Sequence, residues 1–154
     1  MAVSTLVRVT RAYACSAERV YDAWLEPATA RRFLFTTPLH GEVVRCEIEP
    51  GIGGRFTVVD RRSLNDGEGW LDVVHTGRFL QLDRPRRIAF AFAVPTWSPA
   101  ETTVIIDITP QGDGCDLVLR HDLGPEVDGD ATVERAEQGW TQMLLALERA
   151  LQDA

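Results

Sequence analysis

ATVERAEQGWTQMLLALERALQ, residues Ala131 to Gln152, decides how the rest of the chain is read. Val133, Trp140, Leu144, Leu147 and Leu151 share one face at helical spacing, with Glu134, Arg135, Gln138 and Glu148 elsewhere. At 1.5 Å per residue this helix is roughly 33 Å long. Everything between Val43 and Asp122 reads instead as strand. The expected strands are Val43–Ile48, Gly54–Arg62, Leu71–Asp83, Arg87–Val94, Thr103–Thr109 and Cys115–Asp122. Turn signals separate them at Pro50-Gly51, Asn65-Asp66-Gly67, Asp83-Arg84-Pro85, Trp97-Ser98-Pro99 and Gln111-Gly112-Asp113-Gly114. Such short connections favour antiparallel neighbours. Gly77, inside the longest strand, predicts a bulge or a strong bend.

Ahead of these strands the alternation from Leu6 to Tyr13 predicts a first strand. Ser16 suits a helix N-cap, because its hydroxyl can accept from the first turn's N–H groups. Ala17, Val20, Ala23 and Trp24 make a helical stripe that Pro27 stops. A second short helix is expected over about Ala28–Phe33. A sheet with one apolar face needs a cover, and the only element long enough is the C-terminal helix. The predicted class is α+β: a curved seven-stranded antiparallel sheet gripping that helix, with two short helices after strand one.

Composition bounds the function. The 154 residues suit one domain, residues 1–154, by the usual prior of ~100–200 residues each. A chain this long buries roughly 68–70% of its unfolded surface, so it needs no disulfide or metal staple. The longest apolar run, Ile88–Val94, is too short for a membrane span of ~20 residues. The net charge of −7 disfavours nucleic acid. Arg31-Arg32, Arg61-Arg62 and Arg84/Arg86/Arg87 sit beside turns or helix ends and read as solvated cations. The three cysteines, Cys15, Cys46 and Cys115, are widely spaced and form no CxxC. With no signal-peptide pattern at the start, a cytoplasmic setting is expected.

Motifs for familiar chemistries are missing. Gly51, Gly53 and Gly54 lead into a strand and lack the Gly-Lys-Ser/Thr ending of a phosphate loop. His40, His75 and His121 are too far apart for ligand spacing, so no metal is expected, and no cofactor is implied. There is no Gly-x-Ser-x-Gly elbow. Cys46 and Cys115 lie on strand patterns, as small packing residues.

Four phrases resemble one family. Ala14-Cys15-Ser16-Ala17-Glu18-Arg19-Val20-Tyr21-Asp22-Ala23-Trp24 with Pro27 is similar to the first helix and proline break of the START-like (SRPBCC, Bet v 1-like) helix-grip superfamily. The branch it resembles is that of the activator of Hsp90 ATPase. Pro50-Gly51-Ile52-Gly53-Gly54-Arg55-Phe56 looks like that branch's PGGxF turn with an extra residue. Asp83-Arg84-Pro85-Arg86-Arg87-Ile88 looks like its DPPRRL turn, and Gly139-Trp140 like its GW pair. The resemblance spans about Val7 to Leu151. It implies a cavity for a small apolar or amphipathic molecule. It carries no catalytic motif onto numbered residues. It also leaves room for a homodimer, since relatives pair through sheet or helix faces.

Phe33, Phe35, Phe56, Phe79, Phe90, Phe92, Trp70, Trp97 and Trp140 could line one interior. The expected pocket between sheet and long helix is lined by Phe33, Phe56, Val58, Phe79, Phe92, His121, Glu137, Trp140 and Leu144. Strand residues two apart face one side, which groups Phe56 with Val58, Phe90 with Phe92, and Leu119 with His121. His121 and Glu137 would be its polar handles, though Glu137 could lean to solvent while Ala136 packs. Gly139 is expected to permit a close approach of backbone or ligand. The first functional reading is a non-catalytic binder of a hydrophobic small molecule. The alternatives are a cyclase or hydrolase using His121 and Glu137 as acid and base, and a partner of an Hsp90-type chaperone.

Overall fold

A computed structural model describes residues 6–35, 41–63, 69–124 and 129–152. The first strand, β1, is Leu6–Tyr13, and the helices α1 and α2 are Ala17–Ala23 and Pro27–Ala30. Six strands follow: β2 (Gly41–Ile48), β3 (Arg55–Ser63), β4 (Trp70–Asp83), β5 (Arg87–Val94), β6 (Ser98–Gln111) and β7 (Gly114–Asp122). The last helix, α3, is Gly129–Gln152. The turn expected at Asn65–Gly67 and His40 lie outside the described residues.

All seven strands form one sheet in the order β1-β7-β6-β5-β4-β3-β2. Every pairing is antiparallel. Strands two to seven meander, as their short turns require. The first strand returns to pair with the last, Val7 against His121 and Tyr13 against Cys115. Period-two burial on β1, β3 and β7 puts one apolar face inward, under α3. The core runs through that face into Trp140, Leu144, Leu147 and Leu151 of α3 and into α1 and α2. Among the described residues no helix is long and apolar enough to cross a membrane.

Polar contacts pin α3 at defined heights. The Tyr13 hydroxyl donates to the Leu144 carbonyl at 2.9 Å, and Arg11 Nε donates to Glu148 at 2.8 Å. The last carbonyls of a helix have no partner inside it. Here Arg19 donates to Leu151 O at 2.5 Å and Arg32 to Ala150 O at 3.3 Å. Two cations at the negative end also suit the helix dipole. Ser16 caps α1 as expected, accepting from the Arg19 N–H at 3.2 Å.

Several expectations need correction. α2 is one turn, Pro27–Ala30, and the chain continues to Phe35 through turns rather than helix. Phe35 has φ 54°, a left-handed value that a bulky residue rarely adopts and that cannot propagate a helix. β6 begins at Ser98, earlier than expected, because Ser98 pairs with Val94 directly after a tight turn. The irregularity in β4 falls between Phe79 and Gln81, not at Gly77. Gly77 and Phe79 therefore keep the inward face. Gly77 is a seat: a side chain there would overlap the Phe56 ring and the Ala91 carbonyl. Gly139 provides no such approach. It is exposed, and a Cβ placed on it would meet no atom within 4 Å.

Members of two of the arginine clusters are ion-paired rather than simply solvated. Arg61 holds Asp72, Arg84 holds Asp22 and Arg87 holds Asp107, the first two at 2.8 Å and the last at 2.7 Å. Arg120 joins Asp107 at 3.0 Å. Solvent screens exposed pairs of this kind, so they fix side-chain positions more than they stabilise the fold.

Candidate functional site

The inward faces of β3, β4, β5 and β7 converge on one side of α3, and sequence alternation decides what they deliver. β3 supplies Phe56 and Val58, β5 supplies Phe90 and Phe92, and β7 supplies Leu119 and His121, each pair co-facial as expected. α3 brings Trp140 and Leu144, one turn apart. Phe33, Phe56, Val58, Phe79, Phe92, His121, Trp140 and Leu144 are all buried, none more than 8% exposed. Glu137 is exposed, so the expectation that it would be an inward handle does not hold. Ala136 is half-buried against the core, and its small side chain leaves the charge free to stay in water. Trp70 and Trp97 are also outside the interior, each 61% exposed. Their rings lie against the guanidinium groups of Arg61 and Arg62.

The buried residues do not stand apart as the walls of an open space. Their rings touch one another around Phe35. Phe35 stacks on His75 at 4.6 Å, on Phe92 at 4.9 Å and on Phe56 at 6.0 Å, and meets Trp140 edge-on at 5.8 Å. Phe35 was one of several interior aromatics in the sequence, and nothing in its spacing marked it as the centre. Its left-handed backbone turns the ring into the sheet, and its N–H lies 3.1 Å from Met143 Sδ of α3.

Two histidines border this cluster, and both are neutral. His121 Nδ1 accepts the Trp140 indole N–H at 3.0 Å. Indole nitrogen only donates, so the ring proton of His121 must be on Nε2. Nε2 then donates to Thr102 Oγ1 at 2.8 Å, and Thr102 donates to the Phe92 carbonyl at 3.3 Å. This is a closed relay from α3 through β7 and β6 to β5. Burial pulls the His121 pKa down to about 4, against an opposing pull from Asp122. His75 Nδ1 lies 3.2 Å from the Val58 carbonyl, which only accepts, so there the proton is on Nδ1. Burial also pulls His75 down to about 4, opposed mainly by the charge of Asp60.

Asp60 is fully buried on the inward face of β3, 3.6 Å from His75. Arg62 neutralises it at 2.7 Å. From the sequence, His75 is weighed only as a metal ligand, and Asp60 is not singled out. The usable signal was the alternation Phe56, Val58, Asp60, which puts a carboxylate on an apolar face. A buried carboxylate requires a partner, and Arg62 two residues on shares its face.

Trp24, Leu34, Ile48, Phe56, Phe79, Ile88 and Phe90 line a space of about 10 Å³. That is about the room of one water-sized sphere. Trp24 Nε1 is buried without a hydrogen-bond partner among the described residues.

The family model described as Activator of Hsp90 ATPase homolog 1-like protein matches residues 14–152. No curated protein matches the chain significantly. Among solved structures, a Rhodobacter sphaeroides protein is similar at 20% identity, with TM-score 0.79 over 99% of this chain and 96% of that one. A Chromobacterium violaceum protein is 23% identical, with TM-score 0.77 over 96% of both chains. The AHSA1-like protein from Aeromonas hydrophila is 18% identical, with TM-score 0.74 over 96% of this chain and 92% of that one. At these identities the likeness is one of fold.

Proposed function

The chain belongs to the Activator of Hsp90 ATPase homolog 1-like family, and from that premise we propose that it binds a small hydrophobic or amphipathic molecule without catalysing a reaction. The ligand would sit between the sheet and α3, against Phe56, Val58, Phe92, His121, Trp140 and Leu144. The observation that carries this reading is the Phe35-centred ring cluster. It is a large aromatic surface, gathered from several strands and α3, whose titratable neighbours His75 and His121 are held neutral. Apolar walls with a few fixed polar groups are the usual make-up of a small-molecule site. Because the rings are in contact, a ligand would have to part them.

The same geometry disfavours the acid–base alternative. A general acid or base works best with a pKa near the working pH and with access to the reacting proton. His121 has both nitrogens engaged and a pKa near 4. Its expected partner Glu137 is in solvent.

Native mass spectrometry of freshly purified protein, followed by solvent extraction, tests the proposal. A retained apolar mass, stoichiometric with protein, is the expected result. The extracted compound should raise the melting temperature when added back, since a ligand at a hundred times its Kd stabilises by about 2.7 kcal/mol. No retained mass, together with no thermal shift from a fatty-acid, terpene and ketone library, would overturn it.

A further inference from the structure

We propose that Trp24 is a ligand anchor, and that its indole N–H selects an uncharged apolar molecule carrying a hydrogen-bond acceptor such as a ketone or ester carbonyl. The inference rests on the binding reading above and specifies its chemistry.

Indole N–H groups in protein interiors usually find an acceptor, because burying one unpaired is costly. Of the four tryptophans, Trp140 meets that requirement through His121, while Trp70 and Trp97 are exposed. Trp24 is only 3% exposed, and its Nε1 has no partner among the described residues. Its closest ring neighbour, Phe33, meets it edge-on at 5.1 Å, and a ring face is at best a weak acceptor. Trp24 lines the small interior space whose other walls, Leu34, Ile48, Phe56, Phe79, Ile88 and Phe90, are apolar side chains. Ile48 is only partly buried and lies on the edge strand β2, so this is the side on which the space can widen.

The wall chemistry dictates the ligand class. The side chains around the space offer one polar atom, and it donates. A matching ligand must therefore bring an acceptor and needs no donor. A carboxylate would enter with a full charge and no cation among those walls, so a neutral carbonyl or ether oxygen is favoured. This end of the interior is distinct from the His121 and Trp140 end, where the donors and acceptors already satisfy one another.

Cyclohexanone and methylenecyclohexane are near-isosteric and differ in C=O against C=CH₂, so they isolate the acceptor. Both are titrated into ¹⁵N-labelled protein, with the Trp24 indole resonance assigned through its contacts with Phe33. The expected result is a downfield shift of that resonance by the ketone alone and about tenfold tighter binding of the ketone, the preference one neutral hydrogen bond supplies. Trp24→Phe should remove the preference, bringing the ketone down to the affinity of its alkene isostere. Equal affinities with an unmoved indole resonance would overturn the Trp24 assignment while leaving the binding function intact. Binding of neither compound would also overturn the Trp24 assignment, while the binding function stands or falls on the extraction and the library. If Trp24→Phe fails to fold, the wild-type affinity ratio and indole shift decide the matter.

Discussion

The indole nitrogen of Trp140 donates to Nδ1 of His121 across 3.0 Å, tying the middle of α3 to β7 in the interior. That bond makes His121 an acceptor toward the helix and, through Nε2, a donor toward Thr102. Replacing the ring with leucine orphans the Trp140 N–H, while the Thr102 hydroxyl keeps its bond to the Phe92 carbonyl. His121→Leu should therefore destabilise the fold by about 1–3 kcal/mol, the cost of one buried unpaired donor. Urea denaturation at pH 7 measures this. A loss below 0.5 kcal/mol would mean that the relay contributes little.

Trp140→Phe tests the same bond from the other side. Without the indole N–H, the Nδ1 lone pair of His121 is free to take a proton. The His121 pKa should then rise from about 4 toward the ordinary 6.5. NMR titration of the imidazole carbon-bound protons reads this directly, and an unchanged pKa would show that burial alone sets it.

Stability should depend on pH in a defined window. Both buried histidines titrate near 4 in the fold, against an ordinary value of 6.5. Between those values the unfolded chain binds protons that the folded chain does not, so stability rises with pH there. The contribution is complete above pH 6.5, falls as pH drops through the window and is lost by about pH 4. Each histidine accounts for roughly 3 kcal/mol of it. Denaturation midpoints at pH 7.5, 6, 5 and 4.5 should decline in that order. A flat series would rule out neutral buried histidines.

Gly77 and Gly139 should respond to alanine in opposite directions. At Gly77 the new methyl would collide with the Phe56 ring and the Ala91 carbonyl, so a loss of about 1–3 kcal/mol is expected. At Gly139 it would meet nothing, and alanine in an exposed helix position should add up to about 1 kcal/mol. Melting temperatures of the two variants check both signs.

Most of the architecture was legible before any coordinates, because it rests on local periodicity. The alternation in Cys115–Asp122 put His121 beside Leu117 and Leu119, and the 3.6-residue stripe in α3 put Trp140 over Leu144. Both faces are as expected. Strand and helix periods are properties of a few consecutive residues, and burial of one face follows from them. The partners of those residues are not local. Trp140 is 19 residues from His121 and Phe35 is 108 from Met143, and their contacts exist only once the sheet has curved under the helix. Phe35 gave no sign of being the hub because its left-handed backbone is imposed by the packing around it. Gly77 read as a bulge and Gly139 as a close approach, yet only the three-dimensional arrangement of neighbours assigns the close approach to Gly77. The sequence alone determined which faces are apolar and the order of the elements that carry them. Tertiary structure decided which buried polar atoms meet, leaving His121 satisfied on both nitrogens and Trp24 with an unpaired donor. Periodicity gives direction, whereas hydrogen bonding needs distances of about 3 Å between segments far apart in the chain.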